Sequence, residues 1–151
     1  MQSINWICKP FENMTPFELY DVLRLRNEVF IVEQNCVYLD IDNKDQVAYQ
    51  LMGFIDTELV ASTRLLGPNT AYKLMSIGRV VTSPRYRGIG AGKLLMEESI
   101  KRCYSLFGEA DIKVSAQLYL KKFYESFGFI QSSTMYMEDS IGHIEMIKPL
   151  L

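Results

Sequence analysis

The segment that most restricts the fold is MSIGRVVTSPRYRGIGAGKLLMEESIKRCYSLFG, residues 75–108. It starts as an apolar, β-branched run and breaks at Ser83-Pro84. Two arginines and three glycines follow, and the segment continues as an amphipathic helical pattern closed by Gly108. A strand handing over to a helix through glycines needs a sheet with a helix on its face, which excludes an all-β sandwich. Glycines also let backbone N–H groups converge, and a helix N-terminus adds about half a positive charge. With Arg85, Arg87 and Lys93 close by, the segment suits a pyrophosphate. A glycine-rich turn with solvated arginines is the plainer reading of the same residues.

The flanking pattern fills in the rest of a mixed sheet. Residues 4–9 read as a short strand. Thr15, Pro16 and Glu18 form a capping-box start to a helix expected to reach residues 31–32 and to bury Leu19, Val22, Leu23 and Phe30. Residues 33–46 are polar, acidic and aperiodic, hence a loop. The runs 48–55 and 59–66 read as a hairpin. After the glycine segment come a strand at 111–116 and a short helix at 117–128. A closing strand pair spans 129–137 and 143–150. The order β-α-β-β-β-α-β-α-β-β predicts an α/β (α+β) domain with helices on both faces of a mixed sheet.

A single domain accounts for 151 residues. With 48% hydrophobic and 23% charged residues, the composition is that of a globular chain. The formal net charge of −2 removes the basic surplus of a nucleic-acid binder. No apolar run approaches the roughly 20 residues of a membrane span, and residues 1–14 lack the features of a signal peptide. Cys8, Cys36 and Cys103 form no CxxC pair, so neither a disulfide framework nor a zinc site is expected. A cytoplasmic protein without nucleic-acid or membrane partners follows, and a homodimer is compatible with it.

Two phosphate-binding alternatives to the glycine segment fail on spacing. A P-loop needs four residues between its glycines and a hydroxyl after the lysine. Here three residues separate Gly88 from Gly92, and Leu94 follows Lys93. A dinucleotide fingerprint needs G-x-G-x-x-G, and Gly88, Gly90 and Gly92 are one residue short. The arrangement Arg85-x-x-Gly88-x-Gly90 between strand and helix instead resembles motif A of the GNAT superfamily of N-acetyltransferases. Downstream, Gln117-Leu-Tyr-Leu120-Lys-Lys-Phe-Tyr124-Glu125-Ser-Phe-Gly128-Phe129 resembles that superfamily's second motif. The segments LRLRNEVFIVEQNCVYLDID, IGRVV, AQLYLKKFYESFGF and YMEDSIGHIEM are similar to its ElaA-like branch over nearly the whole chain. Ser140 and Gly142 stand where the branch usually has Gly and Pro.

The resemblance implies a GNAT fold: a mostly antiparallel sheet splayed at an acetyl-CoA site, with the pantetheine arm pairing along Val80, Val81 and Thr82. Pyrophosphate contacts then fall to Arg87, Gly88, Ile89, Gly90, Ala91, Gly92 and Lys93. Gln117 occupies the position of the family's asparagine beside the cofactor. Tyr124 matches the tyrosine that protonates the departing thiolate, a task a phenol near pKa 10 can perform. No acid lies on the strand before the loop, so Glu33 is the leading general base, with a water chain as the alternative. Arg79, expected to share a face with Ile77 and Val81, needs a partner such as Glu33, Asp42 or Glu138-Asp139.

His143, the only histidine, excludes a two-histidine metal site, and a carboxylate neighbour or an exposed tip is its expected setting. Asp40, Asp42 and Asp45 lack the glycine and glutamate of a calcium loop and offer an attraction for a cationic amine. No metal is expected. The acceptor is an amine on a small molecule or peptide. A non-catalytic CoA-binding or interaction module that keeps the GNAT fold fits the same residues.

Overall fold

The computed structural model describes residues 3–150. Strand β1 (Asn5–Pro10) leads into helix α1 (Pro16–Arg26), followed by β2 (Tyr49–Ile55), β3 (Glu58–Leu66) and β4 (Met75–Thr82). Helix α2 (Ala91–Phe107), β5 (Ile112–Gln117) and the short helix α3 (Lys121–Glu125) come next. The chain closes with β6 (Ile130–Gln131), β7 (Tyr136–Glu138) and β8 (Ile141–Lys148). The sheet order is β1-β2-β3-β4-β5-β8-β6, with β7 also on β8. Every pairing is antiparallel except β4 with β5.

Helices cover both faces, as expected. Leu95, Met96 and Cys103 of α2 and Tyr124 of α3 pack on one face with Leu51, Ile77, Val114 and Met146. Val22, Leu25 and Val29 cover the other with Met52, Leu59 and Val81. The expected inner face of the first helix is therefore rotated. Val22 is buried, but Leu19, Leu23 and Phe30 are half-buried, and Leu25, Arg26 and Val29 lie inside. The capping box forms as read. Thr15 Oγ1 accepts from Glu18 N–H at 3.1 Å, and Glu18 Oε1 accepts from Thr15 N–H at 2.9 Å.

Beyond α1 the helix widens to π geometry over Asn27–Glu33. Gln34 N–H reaches back to Val29 O and Cys36 N–H to Ile31 O, five residues each. The expected closing strand at 129–137 is interrupted. Its halves, β6 and β7, pair with different parts of β8. Between them Ser132 N–H donates to Glu145 O and Ser133 Oγ accepts from Glu145 N–H.

Two features of β4 position the site. The strand is parallel to β5 only at Met75↔Ile112 and Ser76↔Lys113, so its remaining edge has no strand partner. On its other side the β3 register slips between Ser62 and Arg64. The slip falls at Arg79, whose φ of +49° is left-handed. Such a bulge inverts the alternation of the strand. Ile77 and Val80 pack toward α2, whereas Val81 packs toward α1. Arg79 thus does not share a face with both Ile77 and Val81, because the bulge turns the strand between them.

Candidate active site

Where β4 and β5 part, a cleft of about 800 Å³ opens. Val80, Val81 and Thr82 line one wall and Ser115 and Gln117 the other. Tyr124, Arg87, Gly92 and Glu33 also line it. Of the expected site residues, Gly88, Ile89, Gly90, Ala91 and Lys93 stand beside the cleft in the turn that starts α2.

That turn is built for exposed backbone donors. Ser83 Oγ accepts from Arg85 N–H at 3.3 Å, and Ser83 N–H is anchored on Val60 O at 2.7 Å. Gly88 (φ +88°) and Gly90 (φ +79°) adopt left-handed backbone, and a Cβ at either would meet open space. Backbone conformation, not crowding, demands glycine here. Leu94 N–H is the first to close on the helix cap, at Gly90 O. The N–H groups of Ala91, Gly92 and Lys93 therefore have no helical acceptor and remain available to an anion.

The three neighbouring cations behave differently from one another. Arg85 turns away to Glu58 (2.9 and 2.7 Å) and Glu28 (3.2 Å), so it does not serve the turn. Lys93 is exposed, 4.0 Å from Glu97. Arg87 is held by Glu33 through two 2.6 Å bonds.

The Arg87 guanidinium holds the Glu33 carboxyl below its ordinary range. A carboxylate so stabilised is a weaker proton acceptor, so Glu33 as it stands in this ion pair is poorly suited to the general-base role expected of it. Its geometric role is to fix Arg87.

Tyr124 lies at the base of the cleft, 4% exposed, edge-on to Phe123 and Phe129 at 5.3 and 6.0 Å. Burial, with a smaller contribution from Tyr119, pushes its hydroxyl well above the ordinary phenol range. It is therefore protonated at neutral pH. Gln117 leans the other way, its Nε2 donating to Gln34 Oε1 at 3.5 Å.

The acidic loop is spent on arginines rather than left open for an amine. Arg26 bonds Asp40 (2.8 Å) and Asp45 (2.7 Å), Arg64 bonds Asp42 (2.7 and 2.9 Å), and Arg79 Nε lies 2.8 Å from Asp40 Oδ1. Three arginines meet three aspartates, and Lys44 adds a further cation 3.8 Å from Asp42, so the cluster carries no surplus negative charge. It clamps residues 40–45 against the sheet beside the bulge.

Residues 34–38 then extend over the cleft toward the β7–β8 turn, where Cys36 Sγ donates to Asp139 O at 3.0 Å. Tyr38, Tyr72, Ser115, Glu138 and His143 complete the lining there. Sequence reasoning left these out of the site: the β5–β8 and β7–β8 pairings bring Ser115, Glu138 and His143 together, and Tyr38 and Tyr72 reach it from loops. Among the described residues no group of three or more His, Cys, Asp or Glu side chains is placed to hold a metal ion.

A splayed parallel strand pair beside a glycine turn of free N–H groups is the arrangement the motifs implied, and comparison with known proteins decides the family. The model of the acetyltransferase (GNAT) domain matches residues 28–150. The chain belongs to the GNAT acetyltransferase family. Within this family it is similar to ElaA of Escherichia coli, 36% identical over 150 residues and 98% of each chain. The ElaA crystal structure superposes with a TM-score of 0.89, covering 96% of this chain and 99% of that one. The GNAT fold is shared more closely with an acyl-CoA N-acyltransferase from Pseudomonas aeruginosa. That match has a TM-score of 0.93 and 40% identity, covering 97% of this chain and 99% of that one. A UPF0039 protein of Synechocystis sp. is 41% identical over 146 residues, 96% of this chain and 95% of its own. The ElaA-like branch of the GNAT family is thus its place.

Proposed function

We propose that this GNAT protein is an N-acetyltransferase that takes an acetyl group from acetyl-CoA and passes it to a primary amine, with both substrates bound together. The single observation that carries the reading is the coincidence of three things: an open β4 edge, a turn of unpaired N–H groups at one end, and a protonated tyrosine at the base. The residues fit the donor. An extended arm bearing amides can pair with the free edge at Val80, Val81 and Thr82, and the N–H groups of residues 87–93 with Arg87 suit a pyrophosphate.

Acetyl-CoA supplies an activated thioester, so the protein has only to position, neutralise and protonate. The bulge at Arg79 and the Asp40–Arg79 contact fix the β4 wall of the cleft. Tyr124 holds a proton toward the cleft. Negative charge building on the leaving sulfur as the C–S bond breaks is what draws that proton across. Cys103 takes no part, its thiol buried and pushed up to about 12.

The test combines calorimetry with acetyl-CoA and thiol release in the presence of putrescine, L-lysine, kanamycin or a tetrapeptide with a free N-terminus. Gly90→Glu places a side chain and a negative charge in the anion turn at a left-handed position, and acetyl-CoA affinity is expected to vanish while the fold is retained. Undiminished affinity in that variant means the pyrophosphate lies elsewhere. Tyr124→Phe is expected to keep affinity and lose about a hundredfold to ten-thousandfold in rate. A protein that binds acetyl-CoA yet releases no thiol with any of the four amines is a binding module, and the N-acetyltransferase reading fails.

A further inference from the structure

We infer that His143 is the proton acceptor for the incoming amine, held in a fixed tautomer by backbone and flanked by Glu138. The inference rests on the N-acetyltransferase reading above and adds to it a catalytic residue that neither motif contains.

His143 stands on β8 opposite Gln117 of β5 and Tyr136 of β7. It is 8% exposed and lines the cleft. The face it occupies is the one closed over by residues 34–38, away from the α2 and α3 face where Ile144 and Met146 are buried. Its Nδ1 lies 2.8 Å from Ile141 O. A carbonyl only accepts, so Nδ1 carries the hydrogen and Nε2 keeps its lone pair in the neutral ring.

Glu138 Oε2 lies 3.4 Å from Nε2, placed to stabilise the cation once that lone pair is protonated. The ring also stacks on Tyr136 (6.0 Å, 24°), whose hydroxyl is tied to Ser115 on the wall of the cleft. Orientation by a backbone carbonyl, a stacking partner that restrains the ring and an adjacent carboxylate together describe an oriented base.

The neighbouring groups leave this role to His143. Glu145, two residues along β8 on the same face, is taken by Lys113 at 2.9 Å. Across the cleft Arg79 is occupied by Asp40 and Asp42, and Glu33 by Arg87. Tyr38 and Asp139 line the cleft beyond the ring, and Tyr38 is tied to Asp40 at 3.2 Å.

The step balances as follows. His143 Nε2 takes one proton from the ammonium, and the freed lone pair forms the bond to the acyl carbon while the C–S bond breaks. Tyr124 gives its proton to the sulfur and regains one from the nitrogen, which ends as an amide. The imidazolium then returns its proton to solvent.

Because the chain has one histidine, nitrogen NMR of histidine-labelled protein reports this ring alone. The expected neutral form is the Nδ1–H tautomer. An Nε2–H tautomer overturns the assignment. In kinetics, His143→Gln is expected to lose about a hundredfold to ten-thousandfold in kcat/KM at neutral pH, measured with whichever of the four amines above turns over fastest. Acetyl-CoA affinity by calorimetry should stay unchanged. The deficit should shrink as pH rises toward the amine's own pKa, because a free amine needs no base.

A constant deficit at all pH values means His143 only shapes the wall, and no deficit means that it is uninvolved. Either outcome refutes the assignment and leaves the function reading intact. Failure of all four amines with the parent protein refutes the function reading.

Discussion

Glu33 and Arg87 grip each other at the mouth of the cleft with both carboxylate oxygens engaged. Any anion that uses Arg87 must compete with that carboxylate. Glu33→Gln removes the competing charge and keeps the size. CoA binding is expected to tighten by up to about fivefold, the scale of a partly exposed ion pair. Isothermal calorimetry reads this directly, and an affinity that falls would show that Glu33 serves by orienting Arg87. At this scale some of the site was legible from residue spacing. Tyr124 was placed by the resemblance of residues 117–129 to the family's second motif, and the glycines by the strand–helix junction they bridge. His143 was not, because its surroundings come from two strand pairings that no local pattern announces. Glu33 was legible as a cleft residue but not as one already committed to a cation.

Strands and turns carry the second scale. The β7–β8 connection is a two-residue turn with Asp139 at φ +50° and Ser140 at φ +66°. Both central residues of such a turn are left-handed, a conformation that costs a non-glycine residue about 1–2 kcal/mol. Ser140 stands where the ElaA-like branch usually carries glycine. Ser140→Gly is expected to raise stability by about 1 kcal/mol, part of the relief being lost to the freer unfolded chain. Urea unfolding measures the change, and a destabilised variant would mean that the serine side chain supports the turn. The helix start at Thr15 was readable because its partners lie three residues apart. The bulge at Arg79 was not readable, because a register slip belongs to the pair β3–β4 and not to either strand. The interruption of 129–137 escaped for a similar reason, since the break at Ser132 and Ser133 is set by Glu145 on β8.

At the scale of the whole molecule, the cluster of Arg26, Arg64 and Arg79 with Asp40, Asp42 and Asp45 ties the end of α1 and the acidic loop to β3 and β4. Its pairs join residues 14 to 39 apart in sequence, so composition showed an acidic loop while the pairing stayed hidden. Burial alone would raise the Asp42 and Asp45 carboxyls, but their arginine partners outweigh it and hold both below the ordinary range. Their folded pKa values are thus depressed. The stability they contribute is present above the unfolded carboxylate value of about 4 and is lost as pH falls through the lower folded values. Thermal unfolding should show a plateau at neutral pH and a decline below about pH 4. Arg26 is 1% exposed, and Arg26→Met leaves Asp40 and Asp45 without that partner. A loss of about 3–5 kcal/mol is expected at pH 7. The loss should narrow in acid, where the abandoned carboxylates protonate, and a pH-independent loss would assign the effect to packing alone.

The two-pair contact between β4 and β5 also bears on association. An ordinary sheet has two borders, whereas this one has two more in its interior. Unpaired borders invite foreign strands and are a hazard during folding and storage. Here the opening lies beneath residues 34–38 and the β7–β8 turn, so a second protein strand is screened out while a slender chain with spaced amides can enter. The cleft therefore selects by cross-section as well as by charge, and whatever fills it completes the sheet.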